Sequence, residues 1–169
     1  KLNRSHRTTV DARPTPGANT EYLIYQTLVG VWPIGIERFR AYLLKAIHEA
    51  KSHTSWINPN TRYNDAITRF AEAILDPVRS SPFLENFVPF QARVAHYGAF
   101  NSLAQTLVKI TAPGVPDFYQ GSELWDLNLV DPDNRRPVDW PLRRHMLEAL
   151  TRPAGTAAER AAFAQELVD

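Results

Sequence analysis

Apolar residues recur three and four positions apart along most of this chain, the spacing that gathers side chains on one face of a helix. From Glu21 the series Tyr22, Tyr25, Leu28, Val29 and Trp32 predicts a first helix, which Pro33-Ile-Gly35 stops. Ile36, Phe39, Leu43, Ile47 and Ala50 predict a second, with Glu37, Arg38, Arg40, Lys45 and Glu49 on its solvated side. Asn58-Pro59 offers a cap and a first-turn proline to a third helix, striped by Tyr63, Ile67, Phe70 and Ile74 and ended by Asp76-Pro77. Between Ser81 and Ile110, Pro89 predicts a break, because its ring has no N–H for the helical ladder. A short helix should precede the break and a long one come after it. The long one is apolar on nearly all sides from Val94 to Val108, which predicts a central place among the other helices.

The pattern changes at Ala112-Pro-Gly114. Val115 to Tyr119 lies between breakers and is too short for a helix, so it reads as a buried strand. Gly121 to Trp140 is a loop rich in Asp, Asn and Pro, about twenty residues long, a length at which loops are commonly functional. Helices over roughly 141–151 and 156–168 finish the chain, and the polar first twenty residues read as an irregular arm or short helix leading into a turn. A lone strand needs neighbours for its backbone N–H and C=O groups. Together with Lys1 standing where an initiator methionine would be, this sets the expectation of a piece cut from a longer polypeptide.

With 169 residues and 44% hydrophobic content the chain can bury one sizeable core, which excludes wholesale disorder. Its formal charge of +1 provides no field to hold a polyanion, so neither nucleic acid nor an anionic membrane is an expected partner. The run Tyr22 to Ile36 is broken by Gln26, Gly30, Pro33 and Gly35 and is too short to span a bilayer. Having no cysteine, the chain offers no disulfide and no thiolate metal site or nucleophile, and a cytoplasmic location is the simplest expectation.

The candidate chemistry sits in the loop. His48 and His53 are five positions apart, about 140° around a helix, and so diverge where a zinc pair must converge; a solvated helix end is expected instead. Asp131-Pro-Asp133 lacks the glycine of a calcium loop and has Arg135 at the fifth ligand position. Asn3-Arg-Ser5 is a formal glycosylation sequon without a secretory context. Glu123, Asp126, Asp131 and Asp133 allow two readings: an acid and base pair, or carboxylates that hold the loop's own N–H groups and pair with Arg135 and Arg136. Tyr119-Gln120-Gly-Ser-Glu123-Leu-Trp125-Asp126 combines aromatic faces with bidentate donors and acceptors. That chemistry suits sugars, and a loop packed through its tryptophans is the competing reading. Lys51-Ser-His53-Thr-Ser-Trp56 is a second cluster of the same kind.

Ala112-Pro-Gly-Val-Pro-Asp-Phe-Tyr119-Gln-Gly-Ser-Glu123 resembles the eighth barrel strand of the α-amylase superfamily, where Pro-Gly-x-Pro leads to Tyr-x-Gly-x-Glu. Asn134-Arg135-Arg-Pro137-Val-Asp-Trp140 is similar to the Asn-x-Arg-x-Pro-Met-x-Trp segment that comes next there. Glu21-Tyr-Leu-Ile-Tyr-Gln-Thr-Leu, Lys51-Ser-His-Thr-Ser-Trp-Ile-Asn-Pro-Asn60, Asn101-Ser-Leu-Ala-Gln-Thr-Leu and Phe118 to Pro137 resemble the maltooligosyl trehalose synthase family within it, and the similarity runs from about Leu2 to Trp140. The resemblance implies a mainly α fold: a multi-helix bundle with one short strand and a long loop that belong to an excised (β/α)8 barrel. Residues 1–112 would be the helical domain, 113–140 the eighth strand with its substrate-side loop, and 141–169 the helical start of the next segment.

It further implies an enzyme that isomerises the reducing-end α-1,4 bond of a maltooligosaccharide into an α,α-1,1 bond, without metal, nucleotide or other cofactor. The family's catalytic carboxylates lie after strands four, five and seven, whose motifs do not occur here, so no catalytic residue carries over. Arg135 matches a superfamily arginine that binds the sugar whose bond is broken, and Tyr119, Gln120, Glu123, Trp125 and Asp126 lie past the strand's carboxyl end, where barrel sites open. These six are the expected substrate contacts; for Phe118 and Trp140 packing is expected. The chain would be the wall or cover of the site, inert by itself. The alternatives are a helical interaction module and a carbohydrate-binding module without catalysis.

Overall fold

A computed structural model describes residues 1–131, 133–151 and 155–166, apart from the side chain of residue 164. The described residues form two compact units. The first comprises Lys1–Phe118 and Trp125–Arg135, the second Tyr119–Leu124 and the described residues from Arg136 onward. The mainly helical character is as the periodicity predicts.

The first unit begins with a single 3-10 turn, Arg4–His6, and a hairpin of β1 (Thr8–Val10) and β2 (Arg13–Thr15). The strands are antiparallel, with Val10 opposite Arg13 and Thr8 opposite Thr15. The two linking residues, Asp11 and Ala12, both have positive φ, 49° and 60°, as a two-residue hairpin turn that matches the strand twist requires. Four helices come next: α1 (Ala18–Val31), α2 (Ile36–Ala50), α3 (Thr61–Leu75) and α4 (Ser81–Thr111).

The core lies where α1, α2 and α3 meet. Phe39, Leu43 and Ile47 of α2, each one turn from the next, face Tyr63, Ala66, Ile67, Phe70 and Ile74 of α3. On α1 the buried stripe is Ile24, Leu28 and Val31, while Tyr22 points to solvent at 68% exposure; the predicted stripe is rotated, with Tyr25, Val29 and Trp32 along its flank. The N-cap of α3 is Asn60 and not Asn58: its side-chain oxygen accepts the Tyr63 N–H at 3.0 Å. Asn58 instead closes the preceding turn, its N–H donating to Ser55 Oγ at 2.9 Å.

Buried polar groups tie the N-terminal arm to this core. Asn3, 2% exposed, donates through Nδ2 to Tyr25 Oη at 3.0 Å and accepts through Oδ1 from Ser80 Oγ at 2.9 Å. Its amide nitrogen is therefore engaged inside the protein, which removes the formal sequon from consideration. Tyr25 Oη donates onward to Glu21 at 2.8 Å, and Glu21 also pairs with Arg7. Burial raises the Tyr25 phenol above its ordinary value, against the lowering effects of the Asn3 hydrogen bond and the Arg7 charge.

Two expectations are corrected along α4. The helix is continuous through Pro89. Pro89 and Glu85, whose carbonyl loses its ladder partner, are both exposed, so water can satisfy that carbonyl. The first half packs: Phe83 and Phe87 stack at 5.3 Å, Phe87 meets Trp32 edge-on at 5.2 Å, and Gln91 donates to the Val29 carbonyl at 3.3 Å. The second half does not take the predicted central place. Tyr97, Phe100, Leu103, Leu107 and Ile110 are each about 60% exposed. Val115 to Tyr119 forms no strand, and Val115 is 99% exposed. With no adjacent backbone to bond, the run stays irregular.

Phe118 has the Lys109 ammonium 4.3 Å from its ring centre and is otherwise half-exposed, so packing is partial there. In the second unit α5 (Trp140–Leu150) is capped by Asp139, which accepts the Leu142 N–H at 2.9 Å, and α6 (Ala157–Glu166) comes after it. Trp140 is 52% exposed and is not the packing residue expected. Residues 167 and 168 of the last expected helix lie outside the described residues.

Candidate carbohydrate-binding loop

In the first unit the segment 125–135 is pinned to α2 by two basic side chains that helical periodicity assigns to solvent. Arg38 donates from Nε to Asp133 Oδ1 and from Nη2 to Asp133 Oδ2, both at 2.8 Å, and also to the Leu127 carbonyl at 2.5 Å. Asp133 Oδ2 accepts the Leu129 N–H as well, at 2.7 Å. One carboxylate thus closes the loop on itself and fastens it to the helix. The Asp133 hydrogen bond pushes the Arg38 guanidinium still higher, and the charges of Asp133 and Asp126 add to this against the opposing cost of burial. Lys45, two turns along α2, donates to the Asp131 carbonyl.

Of the two readings of the loop carboxylates, the geometry favours structural support, with Arg38 as a partner that the loop's own sequence does not supply. Asp131 pairs with Arg135 at 2.5 Å, as expected. Asp133 pairs with Arg38, and Asp126 accepts from Asn128 Nδ2. Held this way, Trp125 stays 62% exposed and the Arg135 side chain 74% exposed. An indole face and a guanidinium fork are presented to solvent on a braced segment.

Tyr119, Gln120 and Glu123 belong to the second unit and are exposed. Glu123 Oε2 accepts from Arg143 Nε at 2.8 Å, while Oε1 takes the Gly121 N–H at 3.4 Å. Arg143 also donates to the carbonyls of Gly121 and Asp139. The Arg143 hydrogen bond holds the Glu123 carboxyl below the ordinary carboxylate range, helped by backbone donors. Gly121 has φ of +87°, and a Cβ there would stand 2.8 Å from Val138 Cγ2. Glycine is required on both counts, which gives the middle of Tyr-x-Gly-x-Glu its physical reason. Glu123 braces the turn; Tyr119, 72% exposed, is the presented ring.

Away from the loop, His48 lies on α2, which ends at Ala50, so His53 is beyond the helix. His48, 8% exposed and therefore not the solvated helix end expected, has Nε2 3.0 Å from Asn64 Nδ2 and its ring 4.3 Å from that of Trp56. His53 lies against Tyr63 at 4.9 Å. No group of three His, Cys, Asp or Glu side chains suited to a metal occurs among the described residues, and no described helix is long and apolar enough to cross a membrane.

A protein of Mycobacterium tuberculosis named as a maltooligosyl trehalose synthase is 43% identical over 147 residues, which are 83% of this chain and 19% of that protein. In sequence the chain is related to maltooligosyl trehalose synthases. The likeness extends to three dimensions: maltooligosyltrehalose synthase from Arthrobacter ramosus superposes with a TM-score of 0.70 at 41% identity, over 77% of this chain and 17% of that one. A further solved maltooligosyl trehalose synthase gives 0.72 at 37% identity, over 78% and 18%. No protein-family model matches. The chain therefore spans about a fifth of the length of the curated relatives it matches.

Proposed function

We propose that this chain is the helical wall and eighth-strand loop of a maltooligosyl trehalose synthase. That enzyme would convert the reducing-end α-1,4 bond of a maltooligosaccharide to an α,α-1,1 bond. The observation that carries the reading is 43% identity sustained over 83% of the chain, through the segment that contains the braced loop.

A retaining mechanism needs two carboxyls about 5 Å apart, one to form the glycosyl-enzyme bond and one to shuttle the proton. None of this chain's carboxylates is assigned to either role, so the isolated chain should be inert. Its own contribution would be positional. The released glucose must stay trapped and turn so that its anomeric hydroxyl attacks in place of water, and a helical wall excludes competing water. Residues 113–140 would occupy the barrel's eighth-strand position, with the helical segment 1–112 before it and 141–169 beginning the next segment. Tyr119 and Trp125 would offer ring faces to sugar C–H groups, and Arg135, with Gln120 and Asp126, would bond hydroxyls. Glu123 would act through the turn it braces.

The direct test is kinetic. In the longer enzyme Arg135→Ala should lower kcat/KM at least tenfold, about 1.4 kcal/mol of transition-state stabilisation, while this chain alone should leave maltohexaose unchanged. Wild-type kinetics in the variant would remove Arg135 from the site, and turnover by the pure chain would overthrow the assignment of catalysis to other segments.

A further inference from the structure

A concave surface lies in the first unit, where α2 ends and α3 begins. A cleft of about 270 Å³ is lined by Lys51, Ser52, His53, Thr54, Ser55 and Asn58. Every lining side chain can hydrogen-bond, and no carboxylate is among them. Its volume falls just below the roughly 300–1,000 Å³ of sites for drug-sized ligands, which suits a single sugar ring.

The cleft is preformed. Thr54, 4% exposed, accepts the Asn60 N–H through Oγ1 at 2.9 Å. Ser55 and Asn58 exchange two bonds, Asn58 N–H to Ser55 Oγ at 2.9 Å and Ser55 N–H to the Asn58 carbonyl at 3.2 Å. His53 rests on Tyr63. Next to Ser55 in sequence, though not among the lining residues, Trp56 leaves 62% of its surface in water and meets the ring of buried His48 edge-on at 4.3 Å. An indole this exposed can offer ring surface to the apolar face of a pyranose. Lys51 closes α2 at φ of 54°, a conformation that asparagine or glycine adopts at lower cost. A lysine there puts an ammonium at the cleft at some expense in backbone strain.

We infer that this cleft, together with the neighbouring exposed Trp56, is a saccharide contact that takes one glucosyl unit of an α-glucan, separate from the residues of the 119–135 segment. The inference rests on the maltooligosaccharide reading proposed above. The sugar ring would lie against Trp56 while its hydroxyls bond Lys51, Ser52, His53 and Asn58. An inorganic anion is the competing occupant, since Lys51 and His53 line the cleft and none of its lining residues is a carboxylate.

The test is titration of the 169-residue chain with maltotriose, monitored by amide NMR, with inorganic phosphate as the second probe. Maltotriose should produce saturable shifts at residues 51–58, weakened at least tenfold in Trp56→Ala. Lys51→Gly supplies a second arm: relief of the positive φ should raise thermal stability while affinity for maltotriose falls at least threefold, a combination that loss of structure cannot produce. Shifts confined to 119–135 would overturn the cleft contact and leave the loop reading standing. Saturable shifts at 51–58 with phosphate but not maltotriose would overturn the sugar assignment, and so would the absence of any shift at 51–58.

Discussion

Arg38 holds Asp133 through two parallel bonds of 2.8 Å across 95 positions of sequence, and the same carboxylate holds the Leu129 N–H. The fork is what a lysine cannot reproduce, because an ammonium offers a point charge and not a planar pair of donors. Arg38→Lys should therefore loosen the segment 127–133, with hydrogen exchange at the Leu129 amide accelerating roughly tenfold, about 1.4 kcal/mol of local opening. Unchanged exchange there would mean the loop is held by other contacts.

Glu123 makes a pH-dependent brace. Its carboxyl is depressed below the ordinary value of 4.5 by Arg143 first and by backbone donors after it. A depressed group stabilises the folded state fully above its unfolded value, and that contribution fades as pH falls through the lower folded value. The Gly121 amide resonance should accordingly titrate with a midpoint below that of a free glutamate, and Glu123→Gln should abolish the step. A midpoint at or above the ordinary value would contradict the pairing.

The clearest parts of the fold to read from sequence were α2 and α3, where Phe39, Leu43, Ile47, Tyr63, Ile67, Phe70 and Ile74 mark a single buried stripe on each helix. The hairpin escaped because its turn is Asp11-Ala12 and not an Asn-Gly or Asp-Gly pair, and its strands are three residues each. Arg38 and Lys45 looked like solvent-facing charges, since periodicity reports a helix face and not the loop that returns to it. Local propensity also overstated Val115 to Tyr119 and the second half of α4. Both carry apolar residues suited to partners that no described residue supplies. In the loop, residue types gave the sugar-like chemistry but not which carboxylate braces and which ring is presented.

Ala12 sits at φ of 60° in the hairpin turn, where a Cβ is strained by about 1 kcal/mol. Ala12→Gly should relieve this and complete the preferred Asp-Gly turn. The expected gain is about 1 kcal/mol, less the backbone entropy of the added glycine, which corresponds to a Tm rise of roughly 2–4 °C at most for a chain of this size. A lower Tm would indicate that the turn is not formed in solution.

Leu103 and Leu107, one turn apart on α4, are 58% and 63% exposed. A row of such residues on a helix ordinarily marks a surface that another element covers. If the chain is the wall of a larger enzyme, the pair is exposed here and buried there, so the same substitutions should have opposite consequences in the two settings. Leu103→Glu with Leu107→Glu should change the stability of the 169-residue chain by no more than about 0.5 kcal/mol per site, as at other surface positions. It should also lower any concentration-dependent self-association seen in sedimentation. In the longer enzyme, burying two carboxylates without partners should cost several kcal/mol and most of the folded yield. Equal tolerance in both proteins would separate α4 from the enzyme's interior and remove the physical basis for calling this chain a wall.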